Sequence, residues 1–234
     1  MDNLVIPTPE FELTLPISRE KVQYRPFLVR EERMMMVLKE STDTTMIIQN
    51  LKKIVANCII SDFDVNTLSY TDFEYLFLNM RVRSMGEHVD FKTTCESCGK
   101  MTPIEVDLNA ICEKVEGSEV PEGKVMLTDD IGVMLSPLRL RDAATASALA
   151  EKDSVQAVLV FIDKVFTKDA VYNFHESSPS DRAKFIDSLS MKHVDLILAE
   201  VSKYPKLETT EKVTCANCGA TFDFHAEGLE TFFT

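Results

Sequence analysis

Cys95-Glu96-Ser97-Cys98-Gly99 and Cys215-Ala216-Asn217-Cys218-Gly219 place the tightest constraint on how this chain folds. Each is a C-x-x-C followed at once by glycine, between stretches whose apolar residues alternate as in strands. Two thiolates at that spacing supply half of a tetrahedral zinc site from one tight turn, and two such turns complete it. The glycine lets the chain reverse after the second cysteine, because glycine enters the left-handed region at little cost. The pairs are separated by 116 residues, so a shared ion ties the middle of the chain to its C-terminal part. With four sulfurs bound, no coordination position is open to water, and the expected site is structural, not catalytic. Separate reduced dithiols or redox disulfides are the other reading of the same residues. His225 is a candidate substitute ligand, but it sits at the far end of the descending strand and reads more simply as a surface histidine.

The chain has 234 residues, enough for one large domain or two small ones, with 45% hydrophobic and 27% charged residues. A formal charge of −13 works against a nucleic-acid backbone as a generic partner. Arg81-Val82-Arg83 is the best basic patch, too small to reverse that balance, and is expected on the solvent face at the end of a helix. No segment approaches the ~20 apolar residues that span a bilayer. The N-terminus lacks the pattern of a secretory signal, so a soluble, intracellularly made protein is expected, with its thiols reduced. Phosphate-loop, dinucleotide, nucleophile-elbow and zinc-protease motifs are absent, and His88, His175, His193 and His225 are scattered. Nothing in the pattern points to an enzyme.

Phe11, Leu13 and Leu15 alternate with polar neighbours, and Pro7, Pro9, Pro16 and Pro26 restrict this region to extended pieces. Glu31 to Lys39 reads as a helix opened by two acids. It carries Met34, Met35 and Met36, which cannot all face one core, so either the helix is buried on several sides or part of it contacts another chain. Asp43 caps a helix with Ile47, Leu51, Ile54, Val55 and Cys58 on one stripe. Thr71-Asp72-Phe73-Glu74 reads as a capping box for a helix that stops at Gly86. Leu108 to Val115 is a short helix containing Cys112, and Val125 and Leu127 face Val133 and Leu135 in a hairpin. Val155, Val158, Leu159, Ile162 and Phe166 read as a helical stripe; Ser178-Pro179 starts a helix, and His193 to Tyr204 is another. Phe232-Phe233 is an apolar end that either docks on a neighbour or packs within this subunit.

The expected architecture is α+β and mostly helical, with an extended N-terminal arm at 1–30 and a helical region at 31–86. Two cysteine-tipped β-hairpins, 87–107 and 208–226, form one zinc-ribbon-like module. A hairpin and helices are inserted between them at 108–207, and an apolar tail closes the chain at 227–234.

Leu15-Pro16, Tyr24-Arg25-Pro26-Phe27, Glu31-Glu32, Cys58, Leu68 to Leu76, Arg81 to Gly86 and the first cysteine hairpin occur together in that order. In this the chain resembles the baseplate proteins of T-even-like contractile-tailed bacteriophages, a family that includes hub subunits and a hub-assembly factor. The resemblance runs from about residue 15 to the end. It implies a non-enzymatic structural subunit of the virion tail baseplate, made in the bacterial host cytoplasm and acting in hub or wedge assembly. Its partners would be other baseplate proteins, or copies of itself, with no nucleic acid and no membrane. One structural zinc per chain, on Cys95, Cys98, Cys215 and Cys218, suits such a rigid piece. The alternative is a zinc-ribbon regulator that binds nucleic acid or transcription machinery; such hairpins usually carry more lysine and arginine than these do.

Overall fold

A computed structural model describes residues 6–38, 43–152, 158–229 and 231. The chain forms two compact units, one from the residues up to 118 together with those from 206 onward, the other from 119 to 205. Helix and strand are both abundant, with seven α-helices and ten strands among the described residues.

The larger unit is built around helix α3, Tyr70–Met85, which buries Phe73, Leu76, Phe77, Leu78 and Met80 and so is apolar on several sides. Helix α2, Thr44–Cys58, lays Ile47, Leu51, Ile54, Val55 and Cys58 into the core at the 3.6-residue period. Asp43 caps it as expected, its side chain accepting from the Met46 amide at 3.1 Å. Helix α4, Leu108–Glu116, contributes Leu108, Ile111, Cys112 and Val115. The cap of α3 differs from the expected one. Ser69, not Thr71, accepts from the Asp72 amide at 3.0 Å.

Helix α1, Val29–Leu38, is fastened by Glu31, a side chain only 1% exposed. Its carboxylate accepts from Arg25 Nη2 at 3.0 Å, Arg30 Nε at 2.7 Å and the Leu28 amide at 2.9 Å. Burial alone would raise its pKa, but the Arg25 and Arg30 bonds and the Leu28 amide prevail and lower it to about 2. Arg25 also donates to Asn57 O at 2.8 Å, so one buried carboxylate links α1 to the end of α2.

Residues 11–24, expected as part of an extended arm, instead fold back as a hairpin of β1, Phe11–Thr14, and β2, Lys21–Tyr24. The alternation was real, but it faces the unit's own core: Leu15, Val22 and Tyr24 are buried. Strands β3, His88–Thr94, and β4, Met101–Asp107, make the first cysteine hairpin; β9, Glu208–Thr214, and β10, Thr221–Glu227, make the second. All three are built alike. Thr14 pairs with Lys21, Thr94 with Met101 and Thr214 with Thr221. The first cysteine hairpin becomes the second on a shift of 120 residues (88 to 208, 107 to 227).

The turns agree bond for bond. Cys95 donates its amide to Lys100 O, Cys215 to Ala220 O and Leu15 to Glu20 O, each at 2.9 Å. Gly99, Gly219 and Arg19 then return their amides to the carbonyls of Cys95, Cys215 and Leu15, with φ of 68°, 73° and 60°. In the N-terminal turn, Ser18 Oγ accepts from the Glu20 amide at 3.5 Å. The Ile17 and Ser18 amides run to Asp72 Oδ1 at 2.8 Å and Oδ2 at 3.1 Å. Burial pushes the Asp72 carboxyl above its ordinary range, against the pull of those two amides.

The smaller unit holds a four-stranded antiparallel sheet in the order β5-β6-β7-β8: Lys124–Met126, Ile131–Leu135, Ile162–Thr167 and Val171–Asn173. Val125 pairs with Val133 as expected. The stretch from Val158 to Phe166, expected as a helix, is a short 3-10 turn leading into β7, with Val165 opposite Val133. Its β-branched and aromatic side chains suit a strand, and a short apolar run does not fix the period. Helix α5, Ala143–Lys152, precedes that turn; α6, Pro179–Asp187, and α7, Met191–Val201, follow the sheet. Ser178 caps α6 with Pro179 in its first turn, and Ser190 caps α7. Val194 and Ile197 of α7 join Val125, Val133, Leu135, Val158, Ile162 and Phe174 in this unit's core. Val155 and Phe232-Phe233 lie outside the described residues.

Two outcomes test this framework. Asp72→Ala strands the Ile17 and Ser18 amides and is expected to cost about 2–3 kcal/mol in urea unfolding; unchanged stability would refute the role given to Asp72. Glu31 has a folded pKa near 2, below its ordinary 4.5, so its contribution is fully present above that ordinary value and is lost as pH falls toward 2. Glu31→Gln is therefore expected to lower stability at pH 7 and to flatten the acid limb of an unfolding-versus-pH curve; an unaltered limb would contradict it.

Candidate metal centre

The two cysteine turns meet. Sγ of Cys95, Cys98, Cys215 and Cys218 all lie within 4.8 Å of one another. Two contacts cross between the hairpins, Cys95 to Cys218 and Cys98 to Cys215, each at 3.7 Å. The first cysteine of one turn thus faces the second of the other. A tetrahedron of sulfurs around an ion with bonds of about 2.3 Å has edges of about 3.8 Å, so both crossing distances suit one shared cation. They are far longer than the ~2.05 Å of a disulfide, and all four cysteines are free thiols. Below the turns, Phe91 of β3 and Phe224 of β10 pack ring to ring at 5.5 Å, which holds the hairpins together on their inner faces.

The local chemistry treats the two sulfurs of the second turn unequally. The Cys218 amide, the Thr102 hydroxyl and the Asn217 amide point at the Cys215 sulfur and lower its pKa to about 6. For Cys218 the Ala220 amide acts downward, but the neighbouring Cys98, Cys215 and Cys95 thiols, together with desolvation, push it up to about 12. The neighbouring sulfurs thus oppose ionisation of Cys218. Asn217 Nδ2 also donates to Cys98 Sγ at 3.6 Å. Cys95 and Cys215 are buried, Cys98 is intermediate and Cys218 is exposed, so the cluster lies at the surface, at the hairpin tips. Four soft donors at these separations fit zinc or a similarly thiophilic ion.

Asp72 explains how the N-terminal turn keeps the same form without cysteines. The amides two and three residues after Cys215 point at its sulfur; those two and three residues after Leu15 point at the Asp72 carboxylate. A carboxylate from α3 replaces the sulfur as the negative acceptor. The sequence carried a usable signal that reading for cysteine alone misses: Leu15 to Glu20 occupies the same frame between alternating stretches as Cys95 to Lys100.

The other singled-out residues have other employments. His225 stands opposite Thr210, well down the ladder from the turn, and contacts Thr210 Oγ1 at 3.2 Å and Glu227 at 3.5 Å. It groups with Glu208 and Glu227, all three exposed, and not with the sulfurs. Cys58 and Cys112 are buried in the core, where desolvation pushes their pKa up to about 11 and about 12. Inert packing is what the helical stripe predicted for Cys58. The arginine patch divides: Arg83 is exposed near the end of α3, as expected, and stands over the Phe11 ring at 4.8 Å, whereas Arg81 is half-buried, with Nη1 lacking a hydrogen-bond partner among the described residues. Of the three methionines, Met35 is buried, while Met34 and Met36 are exposed.

A cleft of about 440 Å³ in the smaller unit is lined partly by Asp142, His175, Arg182 and Asp187. Among the described residues no helix is long and apolar enough to cross a membrane. No curated protein and no solved structure matches the chain. One family does. The profile described as T4 bacteriophage base plate protein matches residues 8–234. That span takes in the Asp72-supported hairpin, both cysteine turns and the segment between them, and the chain therefore belongs to the T4 bacteriophage base plate protein family.

Proposed function

We propose that the chain is a rigid, protein-binding subunit that acts in hub or wedge assembly of the baseplate, with one structural zinc ion on Cys95, Cys98, Cys215 and Cys218. Membership of a baseplate family implies a structural, non-enzymatic role in the phage tail, in association with other baseplate components. The observation that carries the zinc reading is the 3.7 Å crossing of the two cysteine turns. A bound dication would neutralise thiolates that otherwise oppose one another. Residues 87–107 and 208–226 then act as one zinc-ribbon-like module. Each hairpin has too little core of its own to be rigid, and the sulfurs supply the missing restraint.

The hairpins carry Asp90, Glu96, Glu105, Asp107, Asp223 and Glu227, which suits a protein partner better than a phosphate backbone. Loss of the ion with falling pH is expected, since protons compete for the thiolates.

Protein purified without chelator is expected to contain about one zinc per chain by elemental mass spectrometry. Cys215→Ser should release it and lower the thermal midpoint by roughly 10 °C or more. Metal-free protein with four titratable thiols at these positions, or an unchanged midpoint in the variant, would overturn the reading.

A further inference from the structure

The sheet of the smaller unit has two faces of unusual character. Its inner face, with Val125, Val133 and Leu135, packs into the core. By the two-residue alternation of strands, the outer face should be polar in an antiparallel sheet covered on one side. Instead, one row across all four strands reads Met126, Gly132, Phe166 and Val171, each paired with the next. Met134, opposite Lys124 and Lys164, extends the same face.

This is a built surface. A side chain at Gly132 would collide with the outer end of the Phe166 ring, so the ring occupies the space over the glycine and makes a platform on the sheet. Lys124 Nζ sits 5.4 Å from the centre of that ring. Met126 is 46% exposed and Val171 67% exposed, at opposite ends of the row. Lys124 and Lys164 are exposed on the flank, Lys164 only loosely paired with Asp163 at 4.0 Å. An apolar platform with a basic flank stands out on a chain of net charge −13.

We propose that this sheet face docks another baseplate protein, through a surface of that partner with an apolar centre and carboxylates beside it. The inference rests on the assembly role argued above and assigns a site to it. Charge selects the occupant. A second copy docked through the same face would set lysines against lysines, on top of the repulsion between two acidic chains. A carboxylate-flanked partner removes both penalties and is steered to the face at low salt.

The test uses the full chain and baseplate precursors isolated from infection with a phage deleted for it, with uptake of added chain followed by sedimentation. The double variant Met126→Asp/Val171→Asp is expected to bind at least about tenfold more weakly, a loss of about 1.4 kcal/mol or more. Its thermal midpoint should stay within about 3 °C of the unaltered chain, since both side chains are exposed. Lys124→Glu/Lys164→Glu, which leaves the apolar row intact, should weaken binding comparably and remove its salt dependence. Met191→Asp, at an exposed site on α7 (64% exposed), should bind as the unaltered chain does. Equal binding by both double variants and the unaltered chain overturns the docking face while leaving the assembly role standing. A dimer of the purified chain that the Met126→Asp/Val171→Asp variant dissolves overturns the choice of partner. Failure of the unaltered chain to join precursors overturns the assembly role and this inference with it.

Discussion

Two turns distant in sequence bring four sulfurs within 4.8 Å of one another, and the larger unit's topology follows from that meeting. Everything between the turns must leave one hairpin and return to the other. The smaller unit, 119 to 205, is therefore carried inside a closed loop. A pair of isolated hairpins would be marginal in water. Here the ring contact between Phe91 and Phe224 supplies apolar contact below the tips, and the four sulfurs lie close together above it.

The three hairpins show one backbone solution held in two chemical ways. Turn amides left pointing inward need an acceptor, and burial makes an unpaired amide costly. At Cys215 a sulfur of its own turn accepts them. At Leu15 there is no such atom, and Asp72 reaches in from α3 to do it. The first device leaves the turn free to bind an ion; the second binds the turn to a helix. This explains why the N-terminal hairpin packs into the unit's own core while the cysteine tips stand at the surface. Arg19 tolerates a left-handed backbone at φ 60° where the cysteine turns use glycine, and its side chain is also occupied, donating to Ser118 O at 3.2 Å.

Much of the site was legible in the residues, because thiol spacing and glycine position are local. The cap at Asp43 and the buried stripe through Cys58 were legible for the same reason. What escaped depended on partners distant in sequence. Residues 11–24 alternate like any extended segment, and only the Asp72 carboxylate and the shared turn bonds reveal a hairpin. The run from Val158 to Phe166 satisfies a helical stripe on paper, yet β6 offers it a ladder that isolated periodicity cannot register. The Ser69 cap was hidden by a plausible box two residues later. The platform of Phe166 on Gly132 joins two strands across a pairing that no local pattern encodes.

The account turns on a single cation bound by sulfur from both hairpins. X-ray absorption at the zinc edge on the purified chain tests this most directly. Four sulfur neighbours at about 2.3 Å, with the zinc lost when Cys215 is replaced by serine, are the predicted result. A first shell of nitrogen and oxygen, or a full sulfur shell that survives removal of either cysteine turn, would contradict it.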